Sequence, residues 1–467
     1  MGVSADIIVA EATAPGRAAL AIVRLSGPGA GEAACRMLVP RSPRWRRSGR
    51  LPERRIALCE ARDPLTLQPL DEVTAIYYRA PRSYTGEDMV EIICHGGRAT
   101  AQGLVEAARR AGARLAAPGE FTQRAFLNGK MDLAQAEAVA DLIAARTEAA
   151  RRAALRQLEG GLSAGVGTLR TRLLDAAAEI EARLDFPEEG IEPADTERLA
   201  RDLEAAAETI AQLLEQGRRG RFLRDGARVA IAGRPNVGKS SLLNAILGRE
   251  RALVSPHPGT TRDSIEATVD IRGLEVTFID TAGVRPGGDE IEQLGIGRAR
   301  SEIARADAVL AVLDASAPLQ DEDLVVFDLL AGRPAALVLN KTDQPIRLDA
   351  GVIVAARPTL AALPLVFTSA LERRGLPELE AVVLELLDAS PALLSGGVIL
   401  TNARHIEALE RAQTALKRAQ RCLVNAEPAE LTMIDLREAI VTLGEITGES
   451  LNEEILDRIF SRFCIGK

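Results

Sequence analysis

Apolar and polar positions follow three different patterns along the 467 residues of the chain. Residues 1–127 contain short apolar runs between Gly- and Pro-containing turns, together with one helical segment around Ala99–Ala111. Short runs of this kind are typical of strands, so the pattern predicts a compact α+β domain. The runs expected to form strands are Ile7–Ala10, Leu20–Leu25, Val73–Tyr78 and Met89–Cys94.

Residues 128–220 and 389–467 share a second pattern. Both are rich in Ala, Leu, Glu and Arg, with helical periodicity and few residues that break helices, which predicts an all-α domain formed from two separate segments. A break from Asp185 to Pro193 separates two helices in the first segment. The second segment predicts helices near 402–424, 430–444 and 452–463.

Residues 221–388 alternate between apolar strands and helical segments. This alternation is typical of a doubly wound, mostly parallel sheet. The simplest arrangement is an α/β domain inserted into the all-α domain, which is tolerated at a surface loop. The predicted elements are a helix at Lys239–Leu247 and strands at Arg228–Ala232, Thr268–Ile271, Val276–Ile279, Ala308–Leu313, Ala335–Leu339 and Leu365–Phe367.

Charge and cysteine content narrow the class of protein. The net charge of -8 and the pI of about 5.4 do not indicate a nucleic-acid-binding chain, so a nucleic-acid partner would need a local basic patch. No apolar run approaches the ~18 residues of a membrane span, and we expect no membrane association. The five cysteines form no C-x-x-C pair, which favours reduced thiols in a cytoplasmic protein.

The segment Gly233-Arg-Pro-Asn-Val-Gly238-Lys239-Ser240 matches the P-loop pattern G-x-x-x-x-G-K-[ST], directly between a predicted strand and a predicted helix. Its backbone N–H groups and the helix N-terminus provide a positive field for phosphates. We expect Lys239 to reach the β- and γ-phosphates and the Ser240 hydroxyl to bind Mg²⁺. The candidate nucleotide contacts here are Asn236, Val237, Gly238, Lys239, Ser240 and Ser241.

Guanine specificity is predicted from two strand ends further along the chain. In Asn340-Lys341-Thr342-Asp343, the carboxylate of Asp343 can accept hydrogen bonds from guanine N1–H and N2–H₂, which adenine does not offer. The pair Ser369-Ala370 ends the next strand, where a backbone N–H can meet guanine O6. The spacing of both motifs from the P-loop therefore predicts GTP as the substrate, with Asn340, Lys341, Asp343, Ser369 and Ala370 as base contacts.

Two further motifs predict contacts to the γ-phosphate and to Mg²⁺. Asp280 and Gly283 belong to Asp280-Thr-Ala-Gly283, where Asp280 can hold Mg²⁺ through water and the Gly283 N–H can sense the γ-phosphate. Thr260 and Thr261 lie in the loop expected to be a switch, and Thr261 is the candidate second Mg²⁺ hydroxyl. Val284 occupies the position where Ras-like proteins carry the glutamine that orients water, so catalysis must use another group.

The motifs together resemble a known family. The G-R-P-N-V-G-K-S, P-G-T-T-R-D, D-T-A-G-V-R and N-K-T-D set is similar to bacterial translation-factor-class GTPases. The flanking segments resemble the MnmE (TrmE) family of tRNA-modification GTPases over the whole chain. The segments that carry this resemblance are Ile8–Ala10, Pro15–Arg17, Arg24–Gly27, Thr85–Asp88, His95–Gly97, Pro118–Phe121, Ala125–Asn128, Lys130–Ala138 and Phe463–Lys467.

The resemblance implies a function in tRNA modification. It implies an N-terminal folate-binding domain, a homodimer formed through that domain, and action with the flavoprotein MnmG (GidA). The expected reaction adds an aminomethyl or carboxymethylaminomethyl group to C5 of the wobble uridine (U34) of certain tRNAs, with 5-formyltetrahydrofolate or another tetrahydrofolate derivative as the one-carbon donor. The alternative is a regulatory GTPase that binds ribosome or RNA without a role in the modification chemistry.

The resemblance also implies roles for individual residues. A K⁺ ion would sit at the P-loop and supply charge that an arginine finger supplies elsewhere, and Glu292 would position the attacking water indirectly. The K⁺ site would use Asn236, Ser255, His257 and Thr260, although Pro256 and Pro258 are departures that stiffen this loop. The folate contacts would be Arg24, Glu91, Lys130 and Lys467.

Two features of the sequence each have two possible interpretations. Cys464, near the implied folate site, is either a nucleophile or a residue that lines the site, and nothing near it in sequence lowers the pKa of its thiol. The cluster of arginines around Trp45 is either a tRNA contact or a solvated loop. Its members are Arg41, Arg44, Arg46, Arg47, Arg50, Arg54 and Arg55.

Overall fold

The computed structural model describes residues 6–185, 193–248, 265–281, 300–389, 400–450, 453–461, 463–464 and 466. The chain divides into two compact units. The first unit comprises Met1–Ala140, Ser163–Arg172 and Ile440–Lys467, and the second comprises Asp141–Leu162 and Leu173–Ala439. The domain boundaries expected from the sequence stay a prediction.

The first unit contains a seven-stranded sheet. Its order is β3-β4-β5-β6-β2-β1-β7, and every pair is antiparallel except β1 with β7. Alternate residues of the strands are buried against helices, as expected for a sheet with one covered face. The strands are β1 (Ile7–Glu11), β2 (Leu20–Ser26), β3 (Leu38–Pro40), β4 (Ala57–Arg62), β5 (Pro69–Tyr78), β6 (Met89–His95) and β7 (Ala113–Leu115).

Helices pack on this sheet and lead out of it. The longest that covers the sheet is α3, whose residues Ala101, Leu104, Ala107 and Ala108 are buried at helical spacing. The helices of this part of the chain are α1 (Ala30–Met37), α2 (Pro43–Ser48), α3 (Arg98–Arg110), α4 (Glu120–Leu127) and α5 (Leu133–Ala144). The predicted α+β architecture is confirmed, and the short elements β3, β4, β7, α1 and α2 were not predicted.

Long helices flank the second sheet in the sequence. Helices α6 (Glu148–Leu158), α7 (Gly161–Asp185) and α8 (Pro193–Asp225) precede it. The expected break from Asp185 to Pro193 separates α7 from α8, with residues 186–192 outside the described residues.

The second sheet belongs to the second unit and has the order β13-β12-β11-β8-β10-β9. All pairs are parallel except β9 with β10, which confirms the predicted doubly wound sheet. Its strands are β8 (Ala227–Ala232), β9 (Ile265–Ile271), β10 (Leu274–Asp280), β11 (Ala308–Asp314), β12 (Ala335–Asn340) and β13 (Leu365–Phe367). Strands β11 and β12 are buried throughout, because helices cover both faces.

The helices around this sheet are α9 (Lys239–Leu247), α10 (Asp321–Asp328), α11 (Ala350–Ala356) and α12 (Leu376–Leu386), with a 3₁₀ turn at Pro358–Ala362. The chain ends in α13 (Ala403–Val424), α14 (Ala429–Thr447) and α15 (Glu453–Phe460). Helix α13 packs along α8, which joins the two predicted segments of the all-α domain. Among the described residues, no helix is both long enough and apolar enough to cross a membrane.

Candidate functional site

The P-loop connects the buried end of β8 to the first turn of α9. Asn236 and Gly238 have positive φ values of 63° and 97°, so the backbone of the loop turns sharply at both positions. A Cβ atom at Gly238 would lie 2.4 Å from Asn340 Nδ2, and only glycine fits there. The result is an open turn at a helix N-terminus, the arrangement that binds phosphate groups.

Lys239 places a buried positive charge inside this turn. Its ammonium group donates hydrogen bonds to the carbonyl oxygens of Gly233 at 2.9 Å and Arg234 at 3.0 Å. Burial lowers the pKa of Lys239, and the negative charge of Asp280 opposes that shift. The lysine is therefore held over the loop, where its three donors can serve a phosphate.

Ser240 and Asp280 bring oxygen ligands together beside the loop. The Ser240 hydroxyl donates a hydrogen bond to Asp280 Oδ2 at 2.7 Å, while Asp280 Oδ1 is buried without a hydrogen-bond partner. A hydroxyl and a carboxylate are the ligands that Mg²⁺ prefers, and a buried oxygen without a partner is costly unless a cation or water serves it. The two residues fit the Mg²⁺ site expected from the sequence.

Asn340 holds three loops together at the base of the site. Its side-chain amide donates to the Val237 carbonyl at 2.9 Å. Its carbonyl oxygen accepts from the Ala370 N–H at 3.1 Å and from the Thr368 hydroxyl at 3.2 Å. Because Asn340 is almost completely buried, these bonds fix the P-loop against the ends of β12 and β13.

Asp343 lies at the solvent-exposed edge of the nucleotide site. Its side chain is exposed, and its Oδ1 accepts a hydrogen bond of 2.6 Å from the buried Ser369 hydroxyl. This bond orients the carboxylate, while Oδ2 remains accessible to donors on a ligand. The structure thus brings the P-loop together with Asn340, Asp343, Ser369 and Ala370, which follow it in the chain by about a hundred residues or more.

Two acidic residues of the site were not predicted from the sequence. Asp314 ends β11 and accepts a hydrogen bond of 2.6 Å from Lys341. Although burial acts to raise the pKa of Asp314, hydrogen bonds from Lys341 and Ser316 bring it below its usual value. The signal that could have found Asp314 is its position at the carboxyl end of a parallel strand, where ligand sites of such sheets form.

The other is Asp323, in the first turn of α10. Its carboxylate lies 3.3 Å from the Arg234 guanidinium, and the two side chains are 2% and 13% exposed. Burial raises the pKa of Asp323, and the neighbouring Gln320 N–H and Arg234 act against that shift. No local pattern links a residue of the P-loop to a helix almost ninety positions later, so this pair needs the structure.

A second candidate site lies in the first unit, on strands β2 and β6. Antiparallel pairing places Arg24 directly opposite Glu91. The guanidinium donates hydrogen bonds of 3.1 and 2.8 Å to Glu91 Oε1, and the Tyr78 hydroxyl donates to Oε2 at 3.4 Å. The Arg24 guanidinium also lies 5.5 Å from the centre of the Tyr84 ring and 5.6 Å from that of Phe121.

A cavity of about 440 Å³ opens beside this ion pair. Lys130 lies at its edge and donates a hydrogen bond of 3.2 Å to the Pro81 carbonyl. The Gly466 carbonyl accepts a bond of 3.4 Å from Arg24, which brings the end of the chain to the same place. The cavity combines one carboxylate, several cations and aromatic rings, and is lined by Arg54, Tyr78, Arg82, Ser83, Tyr84, Met89, Glu91 and Lys130.

A buried ionic cluster forms in the same unit as the cavity. Arg124 is 4% exposed and binds Glu87 at 3.2 Å, Glu120 at 3.0 Å and Asp6 at 2.7 Å. Glu87 also accepts a hydrogen bond of 2.9 Å from the Ser26 hydroxyl. Removing one partner of such a cluster leaves a buried charge unpaired, so the motifs that contain Glu87 and Glu120 have a structural role here.

Several predicted site residues lie outside the described residues. They are Ser255, His257, Thr260, Thr261, Gly283, Glu292 and Lys467, together with Val284. The exposed Cys464 is described, and its carbonyl accepts a hydrogen bond of 3.4 Å from the Gly119 N–H. Among the described residues, no group of three or more His, Cys, Asp or Glu side chains is placed to hold a metal ion.

The fold and the nucleotide site define a P-loop GTPase domain combined with a helical domain and an N-terminal sheet domain. The family model of the MnmE helical domain matches residues 133–464, and the model described as GTP-binding protein TrmE N-terminus matches residues 7–130. The chain belongs to the MnmE (TrmE) family of tRNA modification GTPases, and it is therefore an enzyme of the GTP-hydrolysing class.

Full-length relatives agree with this family. The tRNA modification GTPase MnmE of Synechococcus elongatus is 44% identical over 471 residues, which cover 100% of both chains. The MnmE of Geobacillus kaustophilus is 42% identical, with 99% of each chain covered. Among solved structures, the G domain of the T. maritima FeoB iron transporter is 28% identical, covers 34% of this chain and 98% of its own, and has a TM-score of 0.27.

Proposed function

We propose that this protein is a K⁺-dependent GTPase that acts with the flavoprotein MnmG (GidA) on the wobble uridine of certain tRNAs. The reaction adds an aminomethyl or carboxymethylaminomethyl group to C5 of U34, with a tetrahydrofolate derivative as the one-carbon donor. The observation that carries the proposal is the similarity over the full length of the chain, at 44% identity, to a protein named tRNA modification GTPase MnmE. It extends to the N-terminal domain as well as to the GTPase domain.

The P-loop residues bind the phosphates of GTP. Lys239 already donates to two backbone carbonyls at 2.9 and 3.0 Å, and it exchanges these acceptors for β- and γ-phosphate oxygens, which carry full charge and make stronger hydrogen bonds. Ser240, Thr261 and, through water, Asp280 hold Mg²⁺, which neutralises charge on the phosphates when bound. The backbone N–H of Gly283 contacts the γ-phosphate.

Hydrolysis uses groups other than the glutamine of Ras-like proteins, because Val284 stands in its place. Glu292 positions the attacking water indirectly. Asn236, Ser255, His257 and Thr260 contribute to a K⁺ site, and K⁺ supplies positive charge next to the phosphates when bound.

Guanine is selected by the Asp343 carboxylate and by the backbone N–H of the Ser369-Ala370 segment. The hydrogen bond from Ser369 leaves one Asp343 oxygen free for the donors of guanine. Adenine presents no donor at N1, so it would leave this carboxylate unpaired in the complex. A site built to hydrogen-bond its substrate rejects such an analogue strongly.

The N-terminal cavity binds the one-carbon donor, 5-formyltetrahydrofolate or a related folate. Glu91 accepts hydrogen bonds from the pterin ring, a heterocycle with adjacent donors, and Arg24 holds that carboxylate in place through bonds of 3.1 and 2.8 Å. Lys130 and Lys467 bind the negative glutamyl tail. The proximity of Gly466 to Arg24 supports the inclusion of Lys467.

The protein is proposed to be a cytoplasmic homodimer formed through the N-terminal domains, with the domain boundaries 1–127, 128–220 with 389–467, and 221–388. The decisive experiment is the nucleoside profile of total tRNA from cells that lack the protein. We expect loss of the C5-modified wobble uridines and their return when the gene is restored. An unchanged profile would favour a regulatory GTPase associated with ribosome or RNA.

The cation requirement has its own test. GTP turnover of the purified protein should rise steeply with K⁺ and stay near its basal value in Na⁺ at the same ionic strength. Equal rates in the two salts would reject the K⁺ site and leave the assignment to tRNA modification intact.

A further inference from the structure

Positive charge is concentrated in one surface segment of an acidic protein. Between Arg41 and Arg55 the chain carries seven arginines and one acidic residue, Glu53, which gives this segment a net charge of +6. The whole chain has a net charge of -8. We call residues 41–55 the arginine segment.

The arginine segment is held firmly on the first unit. Its centre is helix α2, and Trp45 and Leu51 pack against the core of the sheet domain. At one end the Arg41 N–H donates to the Leu58 carbonyl at 2.9 Å, and at the other the Arg54 N–H donates to the Tyr77 carbonyl at 2.8 Å. The segment is therefore a fixed part of the surface and not a loose loop, which lowers the entropy cost of binding a partner.

Its charges are mostly uncompensated within the protein. Arg41 pairs with Glu60 at 3.5 Å and Glu72 at 3.1 Å. The remaining six are exposed and have no carboxylate within 4.0 Å among the described residues. These six are Arg44, Arg46, Arg47, Arg50, Arg54 and Arg55. Like charges held close together repel one another and destabilise the protein, unless a polyanion binds them.

We propose that the arginine segment binds the phosphate backbone of the tRNA substrate. This inference rests on the proposed function in tRNA modification. A small anion would need donors that converge in a buried pocket, whereas these guanidinium groups are exposed along a helix and the turns that flank it. Several exposed, planar guanidinium groups on one short segment suit a polyanionic backbone, because each phosphate can accept two parallel hydrogen bonds from a guanidinium group.

The position of the segment on the domain supports an RNA partner. Arg54, near its end, also lines the cavity that contains Glu91 and Lys130. An RNA backbone bound along α2 would thus lead to the cavity proposed for the one-carbon donor. The contacts are to phosphates, so they position the tRNA without reading its sequence.

The test removes three charges from α2 by the substitutions Arg44→Gln, Arg46→Gln and Arg47→Gln in one variant. Gln keeps a good helix propensity, and none of the three side chains is buried, so the variant should fold. The affinity for a tRNA transcript with uridine at the wobble position is measured over a range of NaCl concentrations without nucleotide. Each phosphate contact contributes about 0.7–0.9 to the slope of log K against log salt, so we expect the slope to fall by about 2 to 3.

A matched control variant carries Arg98→Gln, Arg156→Gln and Arg172→Gln. Replacing these three exposed arginines changes the net charge by the same amount, but the three positions lie on three different helices. We expect the slope of the control to differ from that of the wild type by no more than about 0.9, which is the contribution of one phosphate contact. Both variants should have the melting temperature of the wild type.

Three other outcomes would contradict the proposed contact between the arginine segment and tRNA. A wild-type slope in the α2 variant, or an equal loss in both variants, rejects the arginine segment as the contact and leaves tRNA modification standing. If the wild-type protein binds no tRNA at all, the proposal fails together with the direct role in tRNA modification on which it rests. Unchanged tRNA binding combined with loss of binding to the flavoprotein would show instead that the segment contacts a protein.

Discussion

The nucleotide site and the N-terminal cavity are assembled in opposite ways. In the nucleotide site, loops at the carboxyl ends of neighbouring parallel strands each bring a short motif, and backbone groups supply many of the contacts. In the cavity, single side chains from β2, β6 and the loop after α4 meet, and Arg24 with Glu91 depends on the register of two antiparallel strands. The first site is made mainly by loop geometry and the second mainly by side-chain charge.

Because the two sites are assembled differently, a substitution disturbs more of the nucleotide site than of the cavity. Asn340 ties the P-loop to the ends of β12 and β13 through three hydrogen bonds, so changes there disturb several loops together. The Arg24–Glu91 pair lies in a sheet whose backbone hydrogen bonds do not depend on these side chains. Substitutions in the cavity should therefore alter ligand binding without affecting the GTPase. The two sites can be separated experimentally.

The largest expected effect is from Lys239→Ala in the P-loop. The substitution removes the buried ammonium group that faces the phosphates, and loss of a preorganised charged donor of this kind costs about 10²–10³-fold in rate. We expect kcat/KM for GTP to fall by about that factor or more, measured by phosphate release in K⁺ buffer. Folate binding measured by calorimetry should be unchanged.

The control for that variant is Lys417→Ala, which removes an exposed lysine of α13. It should keep wild-type GTP turnover. Turnover retained by Lys239→Ala within a factor of about three would reject its role at the phosphates, because such a small loss is far below that of a phosphate-binding charge. Loss of folate binding in the same variant would contradict the separation of the two sites.

The next effect concerns catalysis within the nucleotide site. Glu292→Ala removes the group proposed to position the attacking water, and a positioned acid or base contributes about 10²–10⁴-fold. We expect kcat to fall by about 10²-fold, at the lower end because the effect is indirect, while the affinity for GDP is unchanged. Glu290→Ala, in the same segment, is the control and should turn over GTP normally. Wild-type turnover in the Glu292 variant would reject its role.

The two sites also differ in how many of their residues can be predicted from the sequence. The P-loop, Asn340, Asp343 and Asp280 are identified by short motifs at strand ends, and the parallel sheet makes their meeting point predictable. Asp314 and the Arg234–Asp323 pair were not predicted, because contacts between loops distant in sequence leave no periodic signal. The predicted bounds of helix α9 and of the short strand β13 coincide with those of the structure.

The N-terminal cavity was predictable only through the family resemblance. Hydrophobic alternation identifies β2 and β6 but does not fix which residues of the two strands face each other, and a shift of one residue would separate Arg24 from Glu91. The short elements β3, β7 and α2 were missed because three to six residues give too few periods for a pattern. Helix α2 is the clearest example, since six residues rich in arginine and without a buried side chain resemble a loop in sequence.

The third prediction tests the cavity with Glu91→Gln. The change keeps the shape of the side chain but removes its charge, and hydrogen bonds to a charged group are worth about 1.5–3 kcal/mol. The Kd for 5-formyltetrahydrofolate, measured by calorimetry, should therefore rise about 10- to 100-fold. GTP turnover should stay at the wild-type value.

The matched control for the cavity is Glu106→Gln, a partly exposed position of α3 whose carboxylate pairs with Arg109 and Arg110. It should bind the folate as the wild type does. No heat of binding in the wild-type protein would remove the folate assignment, and a fall in GTP turnover in the Glu91 variant would contradict the independence of the two sites.

The smallest expected effect returns to the nucleotide site, at the pair of Arg234 and Asp323. The Arg234 carbonyl accepts a hydrogen bond from Lys239, so the Arg234–Asp323 ion pair helps to hold the loop that positions the lysine. Arg234→Gln and Asp323→Asn should each raise KM for GTP a few-fold, and the double variant should be no worse than the worse single one. That result corresponds to a coupling energy of about 1 kcal/mol, within the range for residues in contact.

The control is Asp321→Asn, in the same turn of α10 but exposed and without a contact to Arg234. It should leave KM unchanged, whether alone or combined with Arg234→Gln. Additive effects of Arg234→Gln and Asp323→Asn would mean that the two residues act separately. The ion pair would then be a feature of the fold that does not position Lys239, and the other contacts of the P-loop, such as that of Asn340 with Val237, would hold it instead.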